Sequence, residues 1–375
     1  MAERPLEVAI AAGGTAGHIN PALALAEELR DRGHHVTFYG QPARKEGELV
    51  PQAGFELVGL NVTGFDREAP WTAVTALVRM ARAQMQLNKR FKQVGAPDVA
   101  IGFGAYVELP LINWCAAHKV PCLIHEQNSV PGLANKLSAK KCARVCVALP
   151  AARPAFQKSV PAEHLLVVGN PVRKSVLEAS RERGRAGVGA REDECVLLVF
   201  GGSLGAHHIN EGVVELKQDL LERENLRIVH STGKDDYEWV TEHLALTPEE
   251  AERWLVLDYI DDMGDKLAAA DLVLSRAGAT SIAEIAALAV PSLLVPYPLA
   301  TADHQTTNAR FLVDAGAARM VADDKIGTYT FTDALLHLID SPDTCAEMRA
   351  AARGLGQASA ARVLAEAVED AASGR

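Results

Sequence analysis

Along the whole chain, short runs of aliphatic and β-branched residues alternate with helix-length amphipathic stretches. That alternation constrains the fold more than any other feature. Strand-then-helix repetition argues parallel sheets covered by helices, because a parallel neighbour is reached only through a crossover. In the first half the strands read 6–11, 35–39, 56–60, 98–102, 121–125 and 144–148; in the second, 194–200, 226–230, 254–257, 271–274, 292–295 and 318–321. Each set predicts one Rossmann-like sheet, so the expected class is α/β with two such domains. The joint falls in 149–172, where Pro150, Pro154, Pro161 and Pro171 interrupt regularity. The expected domains are 1–170 and 171–356. Within the second, 184–192 reads as a flexible polar loop. The stretch 344–372 is Ala-rich and helical but broken by Gly354 and Gly356, so about 357–375 is expected to turn back onto the first domain.

A chain of 375 residues suffices for two domains of ordinary size, and 48% hydrophobic residues can fill two cores. No apolar run reaches the roughly 18 residues that span a bilayer. The N-terminus lacks the charged-then-apolar pattern of a signal peptide. The six cysteines are scattered; Cys142 and Cys146, the only close pair, have the wrong spacing for a zinc knuckle, so buried thiols in a reducing cytoplasm are expected. Charge is uneven: residues 1–160 carry 18 Lys+Arg against 13 Asp+Glu, and the rest 20 against 35. An anionic surface would attract the first part and repel the second.

Three glycine-rich turns follow expected strands: Gly13-Gly-Thr-Ala-Gly17 with His18, Gly102-Phe-Gly-Ala-Tyr106, and Gly201-Gly-Ser-Leu-Gly205. Glycines permit tight turns and let backbone approach a ligand, and the helix that follows offers unpaired N–H groups and a positive dipole end. Each alone is as readily a packing device; three at the carboxyl ends of strands mark where α/β folds bind ligands. None ends in Gly-Lys-Ser/Thr, so none is a P-loop. His18, at the start of a helix expected from about Asn20, is either a packing histidine or a base able to take a proton from a hydroxyl. His125-Glu-Gln-Asn128 ends the fifth strand at the same edge, as a binding cluster or an alternative source of the base. Residues 276–308 place Gly278, Thr280, Ser281 and Glu284 at the start of an apolar helix, with His304 and Gln305 one strand later. That pattern outlines a nucleotide-sugar site: diphosphate on the helix N-terminus, ribose on Glu284, sugar on Gln305. The helix in 71–93 gathers Trp71, Val74, Val78 and Met85 on one edge, flanked by Arg82 and Lys89. It reads either as a core helix with snorkelling bases or as a membrane-interface face, with Lys136, Lys140 and Lys141 nearby in sequence and Trp114 in the patch or in the core. No metal constellation is visible, and helix N-termini can stabilise a leaving diphosphate without one.

Taken together, GGTAGH (13–18), GFGAY (102–106), HEQNSVPGLANK (125–136), GNPVR (169–173), GGSLGAHHIN (201–210), YIDDM (259–263), the run from Ser275 to Pro298 and DHQTTNA (303–309) closely resemble the MurG family, bacterial UDP-GlcNAc:lipid I GlcNAc transferases of peptidoglycan synthesis. The resemblance runs in order over nearly the whole chain. It implies a GT-B fold of two Rossmann-like domains with the active site in an interdomain cleft. It implies UDP-GlcNAc contacts from Thr15, Ala16, Gly17, Asn128, Arg173, Ser203, Ile260, the run Ala279, Thr280, Ser281, Ile282, Ala283 and Glu284, and Gln305 with His304. Arg173 and the Ile260 backbone would read uracil, Ser203 the diphosphate. Gly14, Gly104, Ala105 and Tyr106 would hold the acceptor diphosphate. His18 is the implied base, with Glu126, or His125, as alternative. Ala16 and Ala105 stand where the family often has glycine, each adding a Cβ near the ligand. The implied partners are UDP-GlcNAc, lipid I (undecaprenyl-diphosphate-MurNAc-pentapeptide) and the anionic cytoplasmic face of the inner membrane, bound peripherally; no cofactor, metal or nucleic acid is expected. The implied reaction is inverting transfer to the C4 hydroxyl of MurNAc, giving lipid II. A related transferase with another acceptor, or a UDP-GlcNAc 2-epimerase, would share the donor features.

Overall fold

The computed structural model describes residues 4–62, 72–202 and 205–374, with side chains from 75 onward in the second stretch. The chain divides into two compact units, residues 1–173 with 359–375, and residues 174–358.

In the first unit the described strands are β1 (Glu7–Ala11), β2 (His35–Gly40), β3 (Glu56–Gly59), β4 (Val99–Gly102), β5 (Cys122–Glu126), β6 (Arg144–Val147) and β7 (Leu165–Val167). They form one parallel sheet in the order β3-β2-β1-β4-β5-β6-β7. The strands at the centre are buried on both faces, which is why they read as near-continuous apolar runs. β7 corrects the reading of 149–172 as irregular: three residues between prolines are too short to show a period, yet Leu165 pairs with Val145 and extends the sheet. The helices flanking this sheet are α1 (Ala16–Asp31), α2 (Glu46–Gln52), α3 (Thr72–Val94), α4 (Glu108–Ala117) and α5 (Leu133–Ser138). α1 begins at Ala16, not near Asn20. The glycine turn runs straight into the helix, and Pro21 forgoes only the bond its N–H would have given to the Gly17 carbonyl.

The closing helix Ala360–Ala372 lays Leu364, Val368 and Ala371, spaced four and three apart, against Ile19, Leu23 and Ala26 of α1. Glu369 fixes the docking by accepting from Arg32 at 2.8 Å and lying 3.0 Å from His34. Trp114 belongs to the core, stacked on His118 and tilted against Phe91. α3 is two-faced. Ala83, Leu87 and Phe91 are buried, while Leu77, Val78 and Met85 are exposed and Arg82 and Lys89 stand in solvent beside them. Trp71 and the Val74 side chain lie outside the described residues.

The second unit holds β8 (Cys195–Phe200), β9 (Leu226–Ser231), β10 (Trp254–Leu257), β11 (Leu272–Ser275), β12 (Ser292–Leu294) and β13 (Ala318–Met320), parallel in the order β10-β9-β8-β11-β12-β13. The stretch 184–192 is not simply a loop. A helix covers Arg181–Gly187, capped by the Ser180 hydroxyl and tied to Asp265 through Arg183. Gly184 is there for close approach: a Cβ on it would fall 1.9 Å from the Asp265 carbonyl oxygen.

In both sheets the strand order reverses next to the first strand, between β1 and β4 and between β8 and β11. At such a switch point the two following connections leave in opposite directions and open a crevice at the strands' carboxyl ends. In the first unit the crevice is framed by the turns carrying His18 and Gly104; in the second, by the turns after Phe200 and Ser275.

Candidate active site

In the first unit, His18 lies in the opening turn of α1 with Nδ1 3.1 Å from Thr15 Oγ1. In the tautomer that protonates Nδ1 toward Thr15, Nε2 presents its lone pair. That ring edge stands against the Gly104 backbone, where a Cβ would lie 3.1–3.2 Å from Cδ2 and Nε2. Gly104 has a φ of 85° and Ala105 a φ of 62°, two consecutive left-handed residues of which only the first is free of a Cβ penalty.

The amides of Gly14 and Gly104, expected to hold the acceptor diphosphate, already donate to buried carboxylates. Gly14 N–H bonds Glu46 Oε2 at 3.2 Å, and Gly104 N–H bonds Glu108 Oε2 at 2.6 Å. These carboxylates explain two further glycines, since a Cβ on Gly13 or Gly102 would come within 2.5 Å of Glu46 Oε1 or Glu108 Oε2. Glycine here makes room for an acid behind the loop. Both acids escaped the sequence reading. Glu108 lies two residues beyond the second glycine turn and had a local signal; Glu46, on α2, had none.

The end of β5 is equally organised. His125 is fully buried, with Nε2 donating to the Gly169 carbonyl at 2.8 Å, and burial pushes its pKa down to about 4. Glu126 accepts from the amides of Asn128 and Gly132 and from Asn135 Nδ2 at 2.7–3.0 Å. A carboxylate so occupied builds its loop, which argues against Glu126 as the alternative base. Arg173 does not present an open fork: it is clamped on Glu27 of α1 at 2.7 and 3.1 Å.

In the second unit, Gly201 and Gly205 form a turn with no room for side chains, since a Cβ on Gly201 would lie 2.3 Å from the Ala206 nitrogen and one on Gly205 2.5 Å from the Thr232 carbonyl oxygen. Ser203 lies outside the described residues. The helix Ala279–Ala287 starts from extended Gly278, and its own ladder begins with Ile282 N–H to Gly278 O at 2.9 Å. Ala279, Thr280 and Ser281 thus form the first turn of this helix, the end at which the helix dipole favours an anion. Ile282 has its side chain in the core, so only its backbone is available to a ligand; Ala283 is half-buried and Glu284 nearly buried, one turn further on. Ile260 is likewise buried and leaves Tyr259 half-exposed beside it.

Gln305, in the first turn of the helix His304–Val313, accepts on Oε1 from the amides of Ala277 and Tyr297. Its NH2 is thus oriented as a donor. Asn308, to which the sequence reading gave no role, donates to the Ala277 carbonyl, so the peptide groups on both sides of Ala277 are held. His304 Nδ1 lies 2.9 Å from the Thr301 carbonyl oxygen. Ala302 and Asp303, just before this helix, are both left-handed, at φ 53° and 52°. Such strain persists only where surroundings impose it, commonly at ligand sites. Arg276 is buried, bonded to Asp323 and to the Val295 and Pro296 carbonyls. Burial pushes the Asp323 pKa up, but His208 and Arg276 outweigh it and hold the carboxyl below the usual range. Among the described residues no group of three or more His, Cys, Asp or Glu stands where it could hold a metal ion, and no helix is long and apolar enough to cross a membrane.

Comparison with known proteins supplies what geometry leaves open. Residues 8–147 match the glycosyltransferase family 28 N-terminal domain and residues 196–368 the family 28 C-terminal domain. The UDP-N-acetylglucosamine--N-acetylmuramyl-(pentapeptide) pyrophosphoryl-undecaprenol N-acetylglucosamine transferase of Halothermothrix orenii is 36% identical over 98% of this chain and all of its own length. The Salinibacter ruber protein of the same name is 38% identical over 98% and 97%. The crystal structure of Acinetobacter baumannii MurG superposes with a TM-score of 0.73, at 28% identity over 98% of this chain and 100% of that one. A Neisseria meningitidis UDP-GlcNAc 2-epimerase bound to UDP-GlcNAc shares the fold at 13% identity, with a TM-score of 0.68 over 97% of this chain and 100% of that one.

Proposed function

This chain belongs to glycosyltransferase family 28 and within it to the MurG transferases, and from that premise we infer that it transfers GlcNAc from UDP-GlcNAc to lipid I in peptidoglycan synthesis. The observation that carries this is full-length identity of 36–38% to proteins of that activity, with two crevices whose residues suit the two substrates.

The residue roles follow from chemistry. The second unit takes the donor. Its diphosphate sits on the amides of Ala279–Ser281 with Ser203, Glu284 accepts from the ribose hydroxyls, and the Gln305 NH2, with His304, donates to GlcNAc hydroxyls. The Ile260 backbone and Arg173 are assigned to uracil; for Arg173 this requires sharing or releasing Glu27. The first unit takes the acceptor, whose diphosphate is assigned to the Gly102–Tyr106 turn and the glycine turn before α1, where the Gly14 and Gly104 amides already donate to Glu46 and Glu108. Thr15, Ala16, Gly17 and Asn128 are assigned to the donor as well. The MurNAc C4 oxygen attacks the GlcNAc anomeric carbon as the bond to the UDP β-phosphate breaks on the opposite face. The hydroxyl proton passes to His18 Nε2, and the negative charge gathering on UDP is met by N–H groups and a helix dipole. This assignment needs no metal.

Membrane attachment is peripheral in this reading. Leu77, Val78 and Met85 form the exposed apolar face of α3, with Arg82 and Lys89 beside it. Apolar residues rimmed by bases suit an anionic lipid surface, here the cytoplasmic leaflet where lipid I presents its sugar.

The test is UDP release from UDP-GlcNAc in EDTA, with and without a soluble lipid I analogue. Release that needs the analogue is expected. Release without acceptor, or epimerised nucleotide sugar, would assign the chain to a different chemistry on the same fold.

A further inference from the structure

Behind the second glycine turn lies a buried acid that the transfer chemistry does not use. Glu108, the first residue of α4, is fully buried. Its Oε2 accepts from Gly104 N–H at 2.6 Å, and its Oε1 meets Ser138 Oγ at 2.9 Å. Ser138 lies on α5, and three residues earlier on that helix Asn135 donates to Glu126 at 2.7 Å. Residues three apart share a helix face. One face of α5 therefore braces two loops through two buried carboxylates: the Gly102–Tyr106 turn through Glu108, and the turn carrying Asn128 through Glu126.

What Glu108 holds is not an ordinary peptide. Gly104 and Ala105 are both left-handed, a conformation that a residue with a Cβ, such as Ala105, adopts only under strain. The Gly104 backbone also packs on the His18 ring, where even a methyl would crowd Nε2 at 3.2 Å. A shift of this backbone moves both a phosphate-facing loop and the wall against which His18 stands.

We propose that Glu108 is a positioning residue for the transfer reaction: with Ser138 it fixes the Gly104–Ala105 backbone, so that the loop receives the acceptor diphosphate and His18 is held in its reacting orientation. Burial pushes the Glu108 carboxyl up to about 8, against the pull of Gly104 N–H and Ser138, with the nearby Glu126 carboxylate adding to the rise. In the structure Oε2 accepts from the Gly104 amide while Oε1 accepts from the Ser138 hydroxyl. Glutamine can keep both contacts, its oxygen accepting from Gly104 N–H and its NH2 donating to the Ser138 hydroxyl, whose proton rotates away. Alanine can make neither and leaves an amide unsatisfied in the interior. The part of this inference that concerns the loop stands on the acceptor assignment; the part that concerns kcat rests on His18 as base.

The experiment is steady-state kinetics on the full-length protein with UDP-GlcNAc and a soluble lipid I analogue. It compares wild type, Glu108→Ala, Glu108→Gln, Ser138→Ala and His18→Ala, with thermal unfolding of each. The expected result for Glu108→Ala is an acceptor KM raised and a kcat lowered, each tenfold or more, with donor KM within twofold. Glu108→Gln should recover most of both, and Ser138→Ala should show the same pattern more weakly. If Glu108→Ala does not fold, the decision passes to Ser138→Ala against Glu108→Gln. The proposal is overturned by wild-type acceptor KM and kcat in folded Glu108→Ala, by a Glu108→Gln as impaired as the alanine, or by a loss that falls on donor KM. Should His18→Ala keep wild-type kcat, the base assignment fails while the acceptor KM of Glu108→Ala still decides the role of the loop.

Discussion

His18 and Glu284 stood out in the sequence because each sits at a fixed place in a motif, after a glycine turn or on the first turns of an apolar helix. The structure adds what those residues lean on. His18 has Thr15 at Nδ1 and Gly104 against the other ring edge. If it takes the proton from the acceptor hydroxyl, His18→Ala lowers kcat by roughly 10²–10⁴-fold with donor KM little changed; a wild-type kcat would move the base elsewhere. Glu284→Ala removes charge-assisted bonds to the ribose, together about 1.5–3 kcal/mol, so donor KM should rise by roughly 10–100-fold while acceptor KM holds. Unchanged donor affinity would contradict that role. Residues whose work is to satisfy buried backbone were hidden from the sequence. Nothing in one dimension shows that Glu46 meets the Gly14 amide, Asn308 the Ala277 carbonyl, or Asp323 the Arg276 guanidinium, because each partner comes from a distant part of the chain.

Elements were legible where period and length agreed. The central strands, buried on both faces, and the glycine turns after them lie where the alternation put them, and the helix Ala279–Ala287 starts at the glycine that the motif supplied. The failures have separate causes. β7 is a three-residue strand set among prolines, and the Arg181–Gly187 helix contains a glycine that tertiary contact, not flexibility, requires. α3 left two readings open, core or membrane face; Ala83, Leu87 and Phe91 are buried, and Leu77, Val78 and Met85 are exposed. Leu77 is 70% exposed and Met85 64%, so replacing them costs little packing. The double variant Leu77→Ser, Met85→Ser should therefore keep its thermal stability and its activity on a soluble acceptor. It should sediment with anionic phospholipid vesicles several-fold less than wild type. Equal sedimentation would remove α3 from the membrane contact.

At the scale of the whole molecule, buried titratable groups set a stability window. His125 and His230 are fully buried, and burial pushes their pKa values down to about 4 and about 3 from the usual 6.5. As pH falls below 6.5 the unfolded chain takes up protons that the folded one refuses, so stability declines toward pH 4. Glu108 acts in the opposite direction. Its carboxyl is raised from 4.5 to about 8, so between those values the folded chain keeps a proton that the unfolded one has lost, and stability drains as pH rises toward 8. The slope from one such group is at most about 1.4 kcal/mol per pH unit. Glu108→Gln has no proton to lose, so its stability advantage over wild type should widen from pH 6.5 to 8 in denaturant unfolding; a constant difference would mean that Glu108 is ionised in the fold. The two sheets are built alike, each with its crevice where the strand order reverses, and full-length kinship to lipid I transferases names the two substrates of the reaction. The most direct test is to supply UDP-[14C]GlcNAc and a soluble lipid I analogue and to determine the linkage in the labelled product. The account predicts label joined β-1,4 to MurNAc; label left in nucleotide sugar, or an α-linked product, would contradict it.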